Sequence, residues 1–139
     1  MARRRVVVTG LGIISPVGNT TQETWANIVA GKNGIGPITR FDASTFKSRI
    51  AGEVKEFDVA AYRAPKEARR MDVFIHYGVA AGIQAIRDSG LTVTPENAPR
   101  IGVNIGSGIG GLPMIEDTHN DFLGGGPRGT AGLRLAGER

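Results

Sequence analysis

Gly106, Gly108 and Gly111, inside IGVNIGSGIGGLPMIED at residues 101–117, satisfy the spacing G-x-G-x-x-G. The loop follows an alternating apolar segment and precedes a helix start, an arrangement that aims backbone N–H groups at a pyrophosphate. A dinucleotide site also needs a second strand after the helix, with an Asp or Glu about 20 residues on for the ribose hydroxyls. Here that region reads GGGPRGTAG, which offers neither. The N-terminal GLG fails as well, because Ser15 stands where the third glycine would be. No Gly-Lys-Ser/Thr follows, so a P-loop is excluded. A tight strand-to-helix turn is the expectation, with a small nucleotide-binding domain as its rival.

The other residues able to do chemistry are few. The chain has no cysteine, which removes disulfides, thiolate metal ligands and a thiol nucleophile together. Ser15 and Ser107 could act as nucleophiles only beside a general base. The two histidines, His76 and His119, share no motif with either serine, and surface or capping roles are expected of both. Neither a catalytic residue nor a metal ligand is assigned. The remaining group is cationic: Lys66, Arg69 and Arg70 fall in the first two turns of a helix expected to begin at Pro65. Positive charge there opposes the helix dipole by a few tenths to about 1 kcal/mol each. Glu67 offsets part of this through an i,i+3 pairing with Arg70. Charge alone describes a solvated face; a non-catalytic module that binds an acidic protein through this helix face is the alternative.

These groups must be positioned by the elements around them. The β-branched run Val6-Val7-Val8 predicts a buried strand over Arg4–Thr9, stopped by Gly10 and Gly12. Thr20 and Glu23 form a capping-box pattern ahead of a helix over Thr21–Ala30, with Trp25, Ile28 and Val29 on one face. Residues 31–64 are turn-rich, with short pieces over Ile50–Val54 and Asp58–Tyr62. Pro65 suits a first helical position, and Met71, Ile75, Val79, Ile83 and Ile86 then recur at helical spacing up to Gly90. Gly78 and Gly82 share that stripe. Each costs about 1 kcal/mol relative to alanine, so the pair points to a close-packed second backbone. Arg100–Ser107 reads as a strand, and Leu112-Pro113 opens a helix that ends by Gly124. The tail GGGPRGTAGLRLAGER has no periodicity and reads as loosely attached.

Length and composition bound what such elements can build. A chain of 139 residues has room for one domain of ordinary size. No apolar run approaches the length of a membrane span, and the opening MARRRVVVTG lacks a signal peptide's apolar core and cleavage site, so a cytoplasmic chain is expected. The formal charge of +4 favours acidic partners. Aromatic content is only 6%, with no stacking aromatics among the cations, which gives no support to nucleic-acid binding.

Three ordered blocks carry a resemblance. RRVVVTGLGIISPVGN at residues 4–19, RRMDVFIHYGVAAGIQAIRDSGL at 69–91 and IGSGIGGLPMIED at 105–117 together resemble the N-terminal third of the β-ketoacyl-acyl carrier protein synthases of type II. Polyketide ketosynthases belong to the same kind of condensing enzyme. The resemblance runs from residue 3 to Arg128, which sets residues 1–128 as a ketosynthase portion and 129–139 as a tail that departs from the family pattern.

The resemblance implies a thiolase-like layered α/β/α fold, of which this chain is an N-terminal fragment, and a homodimeric enzyme without a cofactor. It implies elongation of acyl chains by decarboxylative Claisen condensation, with acyl carrier protein as partner and acyl and malonyl thioesters as substrates. The family's nucleophilic cysteine, two histidines and lysine lie further along its chain than Arg128, so none is carried over, and this chain alone is expected to be inactive. Two features do fall on matching positions. Ile109 resembles the residue at which the family's acyl pocket meets the dimer interface. Lys66, Arg69, Arg70 and Arg128 match contacts to the acidic recognition helix of acyl carrier protein; Gly129 stands where a further cation would be expected.

Overall fold

The computed structural model describes residues 4–126. The expectations for Arg128 and for the tail therefore lie outside the described residues. Among those residues no helix is long and apolar enough to cross a membrane.

Helix α1 spans Thr21–Val29. Thr20 is extended and accepts from the Glu23 N–H at 3.1 Å, while the Glu23 carboxylate accepts from the Asn19 N–H at 2.8 Å. The capping box is thus present, with its return bond shifted one residue upstream. The helix is held to the preceding loop by its polar side. Buried Thr24 donates to the Gly18 carbonyl and bonds the Ser15 hydroxyl, both at 3.1 Å. Trp25, Ile28 and Val29 face solvent, Trp25 at 67% exposure.

A two-stranded antiparallel sheet follows, β1 (Ile35–Pro37) pairing with β2 (Ile50–Gly52) in the register Ile35↔Gly52 and Pro37↔Ile50. The piece expected over Ile50–Val54 is real but shorter. Its partner lies inside the glycine-rich stretch that reads as turn. A single 3₁₀ turn occupies Val59–Ala61.

The long helix expected from Pro65 to Gly90 is interrupted. It forms a short α2 (Pro65–Ala68), a turn, and then α3 (Val73–Ser89). The cause is Asp72, which is extended at φ −72°, ψ 158° and whose side chain accepts from the Val73 N–H, so it starts a helix of its own. The Arg70 and Met71 N–H groups bond back three residues, to Glu67 and Ala68, closing α2 as a tight turn. His76 fixes the break: its Nε2 lies 2.9 Å from the Ala68 carbonyl oxygen. Gly90, left-handed at φ 66°, ends α3 as expected. Helix α4 spans Leu112–Gly125.

The segment after residue 9 crosses α3 at backbone distance. A Cβ on Gly10 would overlap the Ala85 carbonyl and stand 2.6 Å from Ser89 N; one on Gly12 would overlap the Ala81 carbonyl and stand 2.8 Å from Ala85 N. Polar groups fasten the crossing. The Leu11 N–H donates to Asp88 Oδ2 at 2.9 Å and the Ile13 N–H to Gln84 Oε1 at 3.2 Å. Gln84 Nε2 in turn donates to the Asn19 carbonyl and the Tyr62 hydroxyl, at 2.7 and 2.8 Å. The close approach expected at Gly78 and Gly82 is absent: nothing lies within 4 Å of a Cβ on Gly82, and Gly78 meets only Ile105 at 3.7 Å. The glycines that matter sit on the crossing segment, and small Ala81 and Ala85 receive them.

The two strands expected over Arg4–Thr9 and Arg100–Ser107 carry no ladder among the described residues, apart from a 3₁₀ turn at Ala98–Arg100 that overlaps the start of the second. A strand needs a neighbour for its N–H and C=O groups, and the one sheet among the described residues is β1–β2. Both segments are apolar and exposed, Val6 at 88% and Val103 at 81%. The buried set among the described residues is correspondingly small: Gly18, Thr24, Ala43, Ala68 and Ala80.

Candidate functional site

The Gly106–Gly111 loop joins the unpaired segment to α4, and its glycines divide into two groups. A Cβ on Gly106 or Gly108 would meet nothing within 4 Å. Gly110 is left-handed at φ 84°, and a Cβ there would stand 3.1 Å from the Phe74 ring. A Cβ on Gly111 would overlap Asp72 Oδ2 and stand 2.8 Å from Asp72 Cγ. The loop therefore needs glycine where it sits against the start of α3.

Gly111 caps α4 without a side-chain bond, and Pro113 occupies the first turn. Between the starts of α3 and α4 lies an open cleft of about 230 Å³, lined by Met71, Val73, Met114 and the carboxylates of Asp72, Asp117 and Asp121. These three carboxylates, Asp72 ahead of α3 and Asp117 and Asp121 in the second and third turns of α4, repel a pyrophosphate from the cleft. This geometry weighs against the nucleotide-binding rival. Among the described residues no three His, Asp or Glu side chains gather as metal ligands would.

Ile109 is 76% exposed and does not line this cleft. The loop presents it outward, with Gly110 and Gly111 fixed behind it.

The cationic group lies on α2 and the turn after it, not along a long helix. Lys66 is within α2, Arg69 is its C-terminal cap and Arg70 lies in the turn, and all three are exposed. The expected Glu67–Arg70 pairing does not form; Glu67 bonds Arg63 instead, Oε2 to Nη1 at 3.4 Å. Arg70 lies beyond the end of α2 at Ala68, out of helical i,i+3 spacing with Glu67, and Arg63 just ahead of the helix takes its place. Among the described residues none of Lys66, Arg69 and Arg70 has an ion-pair partner. Three exposed cations in five residues raise the local positive potential.

The serines and histidines are not brought together. Ser15 Oγ lies 3.1 Å from both the Gly18 carbonyl oxygen and Thr24 Oγ1 and shares its one proton between them, a loop-closing role, and His76 pins α2. Ser107 is exposed in the loop and His119 lies on α4. The sequence signal for Asp72 is an Asp immediately ahead of an apolar-periodic run, overshadowed by Pro65.

Residues 3–130 match the family model described as "Beta-ketoacyl synthase, N-terminal domain". The chain is 56% identical over 128 residues to the 3-oxoacyl-[acyl-carrier-protein] synthase 2 of Vibrio harveyi, and 51% identical over 128 residues to that of Coxiella burnetii. Each comparison covers 92% of this chain and 31% of the relative, so the chain spans about a third of the length of the curated relatives it matches. Among solved structures it superimposes on the ishigamide ketosynthase/chain length factor with a TM-score of 0.71 and 34% identity, over 92% of this chain and 32% of that one. It also superimposes on the ketosynthase of a structure described as a type II polyketide acyl carrier protein in complex with its ketosynthase, with a TM-score of 0.73 and 30% identity, over 92% of this chain and 34% of that one.

The architecture is thus part of a thiolase-like α/β fold, the fold of the ketosynthases. The loop, the cationic turn and the α3 crossing sit within a segment whose family is shown directly: the chain belongs to the β-ketoacyl synthase family, matching its N-terminal domain.

Proposed function

We propose that this chain is the N-terminal portion of a β-ketoacyl-acyl carrier protein synthase that elongates fatty acyl chains. In that reaction an acyl group passes from carrier-protein thioester to an enzyme thiol. Malonyl-carrier protein then loses CO₂, and the resulting enolate carbon attacks the acyl carbonyl, releasing the thiolate and leaving the β-ketoacyl thioester on the carrier. The portion described here supplies a docking surface and a stretch of pocket wall, and the thiol comes from elsewhere in the enzyme. Residues 1–128 form that portion and 129–139 fall outside its pattern. The working enzyme in this reading is a cytoplasmic homodimer that uses no cofactor and binds no nucleic acid.

The observation that carries the reading is the exposed trio Lys66, Arg69 and Arg70, free of ion pairs among the described residues, in a chain that superimposes on a ketosynthase solved with its acyl carrier protein. Exposed cations speed encounter with an acidic helix and fix its register. Arg128 joins them by resemblance. Ile109, presented outward on its loop, is the candidate for acyl-pocket wall at the dimer interface.

The test is a titration of the chain with acyl carrier protein, before and after charge reversal at Arg69 and Arg70. Binding that weakens by roughly ten-fold or more, and weakens further with salt, supports the reading. Unchanged binding removes it. The absence of cysteine from the 139 residues favours one further reading, a non-catalytic module that binds acidic proteins through the same cations. Competition by an unrelated acidic protein of equal net charge separates the two: it displaces carrier protein only if the module reading holds.

A further inference from the structure

Asp72 stands at the junction of the two features just assigned. It follows Arg70 by two residues, and it meets Gly111, which follows Ile109 by two. One carboxylate oxygen, Oδ1, accepts from the Val73 N–H and so starts α3. The other, Oδ2, is buried and bonds no donor among the described residues, and it occupies the space into which a side chain at Gly111 would grow. Gly111 is the cap of α4, which lacks a side-chain cap of its own. A helix start without a cap leaves its first N–H groups and the positive end of its dipole without a partner, and a carboxylate against it is attractive. Beside Asp72, the Phe74 ring packs on Gly110, whose left-handed φ of 84° turns the chain from the loop into α4.

We infer that Asp72 is a positioning residue that sets one carboxylate against two helices, capping α3 through Oδ1 and bracing the N-terminus of α4 through the charge and bulk of Oδ2. By holding Gly111 it sets the loop that presents Ile109. It also ties the cationic turn to that loop, because any shift of residues 69–71 is transmitted to the next residue but one after Ile109. The consequence for the acyl pocket rests on the reading proposed above; the brace itself does not.

Serine separates the two duties. It ranks with aspartate as a helix N-cap, so Asp72→Ser keeps α3 capped while removing the oxygen that reaches α4. Amide hydrogen exchange on the full 139-residue chain reads the result. The expected outcome for Asp72→Ser is exchange roughly five-fold faster or more over residues 110–115, with the first turn of α3 altered by less than about two-fold. A second variant approaches from the other side. In Gly111→Ala the new Cβ displaces the carboxylate, so the amides of Val73 and Phe74 exchange faster although they belong to α3; Asp72→Ser/Gly111→Ala, with room for the methyl, brings them back to the Asp72→Ser level. Unchanged exchange at 110–115 in Asp72→Ser, or unchanged α3 amides in Gly111→Ala, overturns the inference and leaves Asp72 as a cap of α3 alone. None of these readouts depends on acyl groups or carrier protein, so their failure is distinct from a failed carrier titration.

Discussion

Gly12 and Ala81 meet backbone to backbone, with no space for a methyl group between the crossing segment and α3. Gly12→Ala has no flexible side chain to push aside, only the Ala81 carbonyl, and is expected to destabilise the chain by about 1–3 kcal/mol through overpacking. Gly82→Ala is the counterpart. It faces open space within the helix, so it should stabilise by about 0.5–1 kcal/mol through lost unfolded-state entropy. Urea midpoints of the two variants should move in opposite directions.

Glu67 restrains the cationic turn by engaging Arg63 at 3.4 Å, both side chains being well exposed. Such a pair contributes at most about 1 kcal/mol to stability, so Glu67→Gln should leave the fold intact. It removes a negative charge from the surface assigned to the carrier protein and releases a fourth cation. Binding should tighten by about two- to five-fold at low salt, with the gain fading as ionic strength rises. Weaker binding would place the acid itself among the contacts.

The β1–β2 hairpin carries a pH dependence. Glu53 accepts from the Thr39 hydroxyl at 2.6 Å and the Thr39 N–H at 3.1 Å. These bonds, the hydroxyl's first, hold its carboxyl below the ordinary value of 4.5. The ionised form is thus favoured in the folded hairpin. Its contribution is fully present above pH 4.5 and is lost as pH falls through the lowered folded value. A ¹³C titration of the Glu53 carboxyl should show the depressed midpoint, and Thr39→Val should move it back toward the ordinary value.

The exposed runs at Val6–Val8 and at Val103 and Ile105 present apolar side chains together with unpaired backbone. Segments of this kind pair with other chains. The isolated 139-residue chain is expected to bind an apolar dye and to associate as concentration rises. Val7→Lys and Val103→Lys should reduce both, in light scattering and dye fluorescence. A monodisperse chain that unfolds cooperatively and binds no dye runs against this account.

Local chemistry was legible in the sequence where it needed no distant partner. The Thr20–Glu23 box, the left-handed Gly90 and the Pro113 start each depend on neighbours a few residues away. Features that need the third dimension were not. Val6–Val8 has the composition of a buried strand, yet composition cannot supply the ladder it pairs with. Gly78 and Gly82 marked α3 as closely approached; the approach is real, but on another face, because the crossing glycines lie about 70 residues upstream. Asp72 broke one expected helix into two, since an N-cap overrides a periodic pattern that is continuous on paper.

The fastening of residues 10–13 to α3 by glycine contacts, Gln84 and Asp88 has a thermodynamic corollary. Releasing that junction wets the Leu11 and Ile13 N–H groups and the Gln84 amide that bond across it, and hydration of polar surface lowers heat capacity where apolar surface raises it. Its opening free energy should therefore vary almost linearly with temperature, and cooling should not loosen it as it loosens a junction glued by leucines.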